Sequence, residues 1–158
     1  MKVEVCVTSV ASARMAEAAG ADRLELCTEL AVGGGTPAPG LLQAIREAVE
    51  IPVHVLIRPR SGDFVYSPET FSQMLRDIEY CKKLGYEGFA TGCLLADGNL
   101  DTERMRLLAE AARGCHLTFH RAFDRLADWE SAMAELEGLG VDTILTSGQA
   151  PTAIKGLN

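Results

Sequence analysis

Short apolar runs alternate with longer amphipathic segments along the whole chain. The apolar runs are rich in Val, Ile, Leu and Phe and have no helical period, which is typical of parallel strands that are covered on both faces. Each run is separated from the next by a segment of helix-forming residues. The pattern predicts six strands, over residues 2–7, 22–27, 53–58, 88–94, 116–119 or 120, and 141–146.

Five helices are expected between these strands. Ser9, Ser67, Asp101 and Asp128 stand where N-caps are preferred, and Ser67 is followed by proline and an acid in the first turn. Glycines follow the predicted helix ends, as is common at helix C-termini. The predicted helices cover residues 10–19, 41–50, 68–84, 102–113 and 129–139.

This alternation predicts a parallel α/β fold, either an open doubly wound sheet or a barrel. No G-x-G-x-x-G turn or P-loop follows a strand, and the first strand ends in Thr8-Ser9 instead of a glycine-rich turn. Eight units at this spacing need about 230 to 250 residues, the usual size of a (β/α)8 barrel. The chain is therefore about two units short of a closed barrel.

Composition and charge narrow the class of protein. With 158 residues, 47% hydrophobic and 23% charged, residues 1–158 are expected to form a single domain. A net charge of −7 argues against broad contact with nucleic acid or an anionic membrane. No apolar run approaches the roughly 18 residues of a membrane span, and no signal-peptide layout opens the chain, so a cytoplasmic location is expected.

Several predicted strands carry polar residues at positions two apart, which share a face. Glu25 and Arg58 lie on neighbouring strands and are expected to pair, because an unpaired buried charge is costly. One interpretation is an internal polar cluster of Glu4, Glu25, Arg58 and His120 that fixes strand register. The other is a site at the C-terminal ends of the strands, in which Arg58 clamps a polar or anionic ligand and Glu25 or His120 moves protons.

The loops after the strands add further candidates. Arg60 and Asp63 contribute either to ligand binding or to a tight turn at Gly62. Asp124 either faces the same site or holds the imidazole of His120. Residues 33–35, three glycines, could cradle an anion with backbone N–H groups or form a turn or lid.

The five cysteines form no C-x-x-C pair and no tight zinc spacing, so a disulfide framework is not expected. Most are expected to be small buried hydrophobes. Cys6 and Cys27 differ, because they lie on the first two predicted strands, about 4.8 Å apart between strands, and thiolates are ligands that Cu(I) prefers. Adjacent barrel strands contribute to alternate layers, so the two sulfurs need not be level.

Taken together, these segments resemble the CutC family of copper homeostasis proteins over residues 4–148. The segments that carry the resemblance are residues 21–27 (ADRLELC), 34–37 (GGTP), 51–53 (IPV), 57–60 (IRPR), 62–64 (GDF), 91–92 (TG), 97–98 (DG), 118–124 (TFHRAFD) and 145–148 (LTSG). The resemblance implies a cytoplasmic, often dimeric TIM-like (β/α)8 barrel, with Cys6 and Cys27 at the positions proposed for copper. Family members are longer, so an incomplete barrel of about six units, from a truncated or fragmentary chain, is expected.

Two functions remain open at this point. The first is Cu(I) binding and sequestration through Cys6 and Cys27, without turnover. The second is an enzyme acting on a small polar or anionic substrate with Glu25, Arg58 and His120, supported by Arg60, Asp63 and Asp124.

Overall fold

The computed structural model describes residues 1–157, and six parallel strands organise it. The strands are β1 (Glu4–Val7), β2 (Arg23–Leu26), β3 (Val53–Leu56), β4 (Gly88–Thr91), β5 (His116–Phe119) and β6 (Thr143–Ile144). The α-helices between them are α1 (Val10–Ala18), α2 (Pro39–Ala48), α3 (Pro68–Lys83), α4 (Thr102–Ala111) and α5 (Trp129–Gly138). Short 3-10 helices occupy Leu30–Val32, Arg121–Arg125 and Ala153–Gly156.

The order of the strands decides between the two predicted architectures. The sheet runs β1-β2-β3-β4-β5-β6, and every neighbouring pair is parallel. A doubly wound sheet reverses its order at a switch point, whereas a barrel adds each strand beside the last. The fold is therefore a partial TIM-like barrel of about six βα units, as predicted.

The helix starts follow the predicted capping residues. Ser9, Ser67, Asp101 and Asp128 each accept a hydrogen bond at a helix N-terminus from a backbone N–H of the first turn. The strands are shorter than predicted, most of all β4 and β6, and one helix begins earlier. Helix α2 begins at Pro39, because proline fits the first helical position, and β6 is shorter than predicted because it pairs with β5 alone.

The two faces of the sheet pack differently. The outer face carries large apolar residues such as Leu24, Val55 and Phe89, which join the helices in the main core. The inner face has only a small apolar cluster of Cys27, Leu56 and Ala90. Its remaining positions hold polar side chains or glycine, so the concave side of the sheet is where chemistry is possible.

Both edges of the sheet are open within residues 1–157: β1 pairs only with β2, and β6 only with β5. Apolar side chains near these edges are exposed, among them Met15 on α1 and Trp129 and Met133 on α5. Exposed edges with apolar surroundings are what an incomplete barrel leaves on physical grounds. None of the described helices is both long enough and apolar enough to cross a bilayer.

Candidate functional site

A cavity of about 1020 Å³ opens on the concave face, at the C-terminal ends of the strands. Its walls come from the ends of β1, β2, β3 and β5 and from the loops that follow them. Seven of the eight predicted site residues line it: Cys6, Glu25, Cys27, Arg58, Asp63, His120 and Asp124. Arg60 is the exception, and Phe64, which the sequence reasoning did not select, also lines the cavity.

Arg58 is tied to two loops by backbone carbonyls. Its Nη1 donates to Val32 O at 3.0 Å and to Gly34 O at 2.7 Å, and its Nη2 donates to Gly62 O at 3.0 Å. Its Nε is buried and has no hydrogen-bond partner. The guanidinium therefore joins the loop after β2 to the loop after β3.

The predicted ion pair between Glu25 and Arg58 is wrong. Glu25 lies opposite His54 in the sheet register, and Arg58 is four residues further along the same strand direction. At about 3.3 Å per residue the two side chains start about 13 Å apart along the strands. Arg58 instead reaches loop carbonyls, and Glu25 accepts a hydrogen bond from the thiol of Cys6.

The three glycines form a tight turn over the strand ends, and they do not offer N–H groups to an anion. The N–H of Gly33, Gly34 and Gly35 donates to Leu30 O, Glu29 O and Thr28 O, respectively. Gly34 has a φ of +92°, and a Cβ there would lie 2.6 Å from Leu56 Cδ2. The turn thus requires glycine both for its backbone and for its close packing on β3.

His120 is a buried, neutral imidazole. Its Nδ1 accepts a hydrogen bond from the N–H of Ala122 at 3.3 Å, which places the ring proton on Nε2. Burial lowers the pKa of His120 to about 3, and the charge of Arg58 lowers it further in the same direction. Its Nε2 is buried without a partner. Asp124 does not hold this ring, contrary to one of the predicted alternatives.

Arg58 and His120 lie in register on either side of a glycine. Leu56 pairs with Ala90 and Ala90 with Thr118, so Arg58, Gly92 and His120 follow in register on three successive strands. A Cβ on Gly92 would lie 2.8 Å from the His120 ring. Because Gly92 has no side chain, the imidazole of His120 can lie directly over the end of β4.

Glu25 is a buried carboxyl group with a raised pKa. Only 7% of the residue is exposed. Burial raises the pKa of Glu25 and the charge of Glu4 raises it further, while the Cys6 hydrogen bond and Arg23 oppose these effects. Glu4 itself pairs with Arg23, so the predicted single cluster of Glu4, Glu25, Arg58 and His120 does not form.

The two cysteines proposed as metal ligands line the same cavity but differ in exposure. Cys6 is exposed and Cys27 is buried, and both are free thiols. Burial and the charge of Glu25 raise the pKa of Cys6 to about 12 and that of Cys27 to about 11. Within residues 1–157 no three His, Cys, Asp or Glu side chains are grouped as a metal site.

Asp124 organises the loop after β6. Its carboxylate accepts hydrogen bonds from the N–H groups of Ser147 and Gln149, from the Thr146 hydroxyl and from Arg121. Burial raises the pKa of Asp124, but these hydrogen bonds outweigh it and lower the pKa to about 2. Asp124 therefore holds one wall of the cavity in place as a carboxylate.

Arg60 and Asp63 form the predicted turn contact. Arg60 Nη2 lies 2.6 Å from Asp63 Oδ1, and Gly62 between them has a φ of +94°. The guanidinium of Arg60 also lies over the ring of Tyr66, 5.0 Å from its centroid. These contacts favour the turn interpretation for Arg60.

Comparisons with known proteins agree on one family. The model of the CutC family matches residues 1–158. A protein named as a CutC family protein from Klebsiella pneumoniae is 51% identical over 156 residues, covering 99% of this chain and 63% of that protein. A relative of the same name from Porphyromonas gingivalis is 46% identical with the same coverage. The chain thus spans less than two thirds of the length of the curated relatives it matches.

Solved structures show the same fold. A CutC protein from Streptococcus agalactiae, described as a suspected copper homeostasis protein, matches with a TM-score of 0.91 and 32% identity, over 99% of this chain and 78% of that one. Phosphoenolpyruvate phosphomutase from Streptomyces platensis matches with a TM-score of 0.64 and 16% identity, over 99% of this chain and 64% of that one. At that identity the second likeness indicates the barrel fold alone.

Proposed function

This chain belongs to the CutC family, and from that premise we propose that it forms part of a barrel enzyme that binds a small polar or anionic substrate at the C-terminal ends of its strands. One observation carries the proposal: Glu25, a buried acid with a raised pKa, lines the same cavity as Arg58 and His120. Active sites of such barrels lie at this end of the strands, and perturbed acids in a cavity favour a catalytic site.

In this proposal Glu25 is the group that accepts or donates a proton. A raised pKa brings a carboxyl group closer to neutral pH, where it can exchange a proton efficiently. His120 stays neutral at these pH values, so it acts as a hydrogen-bond donor through Nε2 and not as a base. Arg58 supplies the fixed positive charge that orients a polar or anionic substrate.

The test follows small carboxylic and phosphorylated acids by ¹H NMR in D2O, with the wild-type protein and a Glu25→Gln variant. Conversion or deuterium exchange of at least one compound is expected, with a rate about 100-fold lower in Glu25→Gln. Glu110→Gln, an exposed carboxyl on α4, is the matched control. Equal rates in the wild type and Glu25→Gln, or no change in any compound, would contradict the proposal.

Copper binding is a second candidate, favoured by the presence of Cys6 and Cys27 on one cavity wall beside Glu25. Thiolates are the soft ligands that Cu(I) prefers, so the two sulfurs are the groups that would bind it. Both thiols have raised pKa values, so Cu(I) must displace a proton from each of them. Copper would here be a cargo that is sequestered and handed on, and its affinity is expected to fall as the pH falls.

Anaerobic Cu(I) titrations against a competing chelator test this candidate. Cys6→Ser and Cys27→Ser are each expected to weaken binding, while Cys115→Ser, outside the cavity, should not. Stoichiometry and affinity that are unchanged in Cys27→Ser would remove Cys27 from the site.

We further propose that the protein acts in the cytoplasm as a homodimer. All five cysteines are free thiols, which suits a reducing compartment. The CutC resemblance supports the dimer. Light scattering coupled to gel filtration tests the dimer, and a mass equal to that of one chain would contradict it.

A further inference from the structure

Arg58 is a buried cation that lacks a carboxylate partner. Only 5% of the residue is exposed, and within residues 1–157 the hydrogen bonds of its guanidinium all go to the three loop carbonyls. Carbonyl dipoles ease the burial of a charge but do not neutralise it. The environment of Arg58 therefore favours an added negative charge.

The acidic side chains that line the cavity do not supply this negative charge to Arg58. Asp63 is paired with Arg60, and Asp124 is engaged by Arg121 and the loop after β6. Glu25 starts about 13 Å away along the strands and has a raised pKa. The negative charge that would complement Arg58 has to come from outside these side chains.

Two buried donors near this charge are also unused. Arg58 Nε and His120 Nε2 are both buried without a hydrogen-bond partner, and both residues line the cavity. Buried donors in proteins are nearly always paired, and those that are not call for a specific explanation. Both residues lie in register on either side of Gly92 and pack on the same ring, that of Phe64, so a ligand in the place of this ring would reach both donors.

Phe64 covers these donors. Its ring centroid lies 4.8 Å from that of His120 and 5.2 Å from Arg58 Cζ. The residue is half-buried, lines the cavity and belongs to the loop between β3 and α3. A side chain in this position separates the two donors from the cavity and can turn away without disturbing a strand.

We propose that Arg58 Nε and His120 Nε2 form an oxyanion subsite, gated by Phe64, which takes the acid group of the ligand. The inference deepens the proposed function, because it names the ligand class of the same cavity. A carboxylate and a phosphate share the required chemistry, two acceptor oxygens and negative charge. A carboxylate fits better, because its single charge matches one guanidinium beside a neutral imidazole.

The test uses the 158-residue protein labelled with ¹⁵N, with acetate, inorganic phosphate and acetamide as probes. Acetamide has the shape of acetate without its charge. Acetate is expected to shift the His120 Nε2 and Arg58 Nε resonances saturably in the millimolar range, and acetamide is not. Tighter binding of phosphate than of acetate would assign the subsite to phosphorylated ligands.

Three variants distinguish acetate binding at the proposed subsite from acetate binding elsewhere on the protein. His120→Asn keeps an oxygen that accepts from the Ala122 N–H but removes the Nε2 donor, so acetate affinity should fall about tenfold or more. Phe64→Ala should speed acetate exchange, because the ring no longer has to move. Arg113→Gln, at an exposed arginine just after the end of α4 and outside the cavity, should leave both quantities unchanged.

Several results would overturn the proposal: no shift with acetate or phosphate, equal shifts with acetamide, or equal acetate affinity in folded His120→Asn. If His120→Asn does not fold, the comparison of acetate with acetamide in the wild type still decides. Glu25→Gln should bind acetate like the wild type. A failure of the proposed enzyme activity, which depends on Glu25, can therefore be distinguished from a failure of the anion subsite, which depends on Arg58 and His120.

Discussion

The thiol of Cys6 donates a part-buried hydrogen bond of 3.5 Å to Glu25 Oε1, so the sulfur of a surface residue and a buried carboxyl group share one wall of the cavity. This contact joins a cysteine proposed to bind Cu(I) to the carboxyl group proposed to transfer protons. A substitution of Glu25 should change the pKa of the Cys6 thiol, and a metal ion bound to that thiol should change the pKa of Glu25.

Replacing Glu25 by glutamine should make Cys6 more reactive. Burial, the charge of Glu25 and that of Cys27 raise the pKa of Cys6 to about 12, so its thiolate fraction at pH 8 is very small. Glu25→Gln removes one of these causes, and alkylation of Cys6 by iodoacetamide should become several-fold faster at that pH. Mass spectrometry measures the rate, with Cys115 as internal reference and Glu110→Gln as control. An unchanged rate would show that Glu25 does not control the thiol.

Asp124 should make stability depend on acid pH. Its pKa is lowered from 3.8 to about 2 by hydrogen bonds from the loop after β6, despite the opposing effect of burial. The unfolded carboxyl group then binds a proton more readily than the folded one. The contribution is present above about pH 4 and is lost as the pH falls towards 2.

Urea unfolding of wild type and Asp124→Asn between pH 2 and pH 7 measures this effect. Asp124→Asn should lower the free energy of unfolding by about 2 kcal/mol at pH 7, and the difference should shrink towards pH 2. A difference that is constant with pH would rule out a role for the charge of Asp124.

Gly34 and Gly20 should respond differently to alanine. Both have a positive φ, +92° and +87°, so alanine at either position costs about 1 to 2 kcal/mol in backbone strain. At Gly34 the new Cβ also meets Leu56 Cδ2 at 2.6 Å, whereas at Gly20 it meets nothing within 4 Å. Gly34→Ala should lose about 1 to 3 kcal/mol more than Gly20→Ala in urea unfolding. Equal losses would mean that the loop does not pack on β3 as described.

The buried histidines should remain neutral well below their usual pKa. Burial lowers the pKa of His54 and of His120 to about 3, aided by Arg23 at His54 and by Arg58 at His120. Their Cε1–H signals in ¹H NMR should therefore stay constant from pH 8 down to about pH 5. A midpoint near 6.5 for either residue would contradict its burial.

The lowered pKa values of His54 and His120 also determine the direction in which stability changes with pH. The unfolded chain protonates these imidazoles near pH 6.5 while the folded protein does not, so stability should decline as the pH falls from about 6.5 towards 3. His54→Leu removes one of the two groups and should flatten this decline, as measured by urea unfolding across that range.

The inward-facing residues could be predicted because they depend on local periodicity. Cys27 follows Glu25 of β2 by two positions and Arg58 follows Leu56 of β3 by two, so each pair shares a face wherever the extended backbone continues. The convergence of these residues on one cavity follows from the parallel order of the strands. Which atoms meet inside the cavity does not follow from periodicity.

The contacts that were predicted wrongly depend on the register of the strands and on the paths of the loops. Glu25 and Arg58 are on adjacent strands, but the register Glu25↔His54 separates them along the strand direction. Arg58 is instead held by carbonyls from residues 32, 34 and 62, whose positions depend on two loops. Phe64 could have been noticed only as an aromatic residue within the arginine-rich segment after β3.

The sequence by itself determined the alternation of strands and helices, the four capping side chains and the set of polar residues that face inward, because these depend on neighbours a few residues apart. Only the tertiary structure decided the sequential strand order, the pairing of Cys6 with Glu25 and the placement of Arg58 and His120 on either side of Gly92. Those relationships join residues 19 to 62 positions apart, and contacts over such separations are fixed by strand register and by the packing of loops, neither of which is encoded in any single segment.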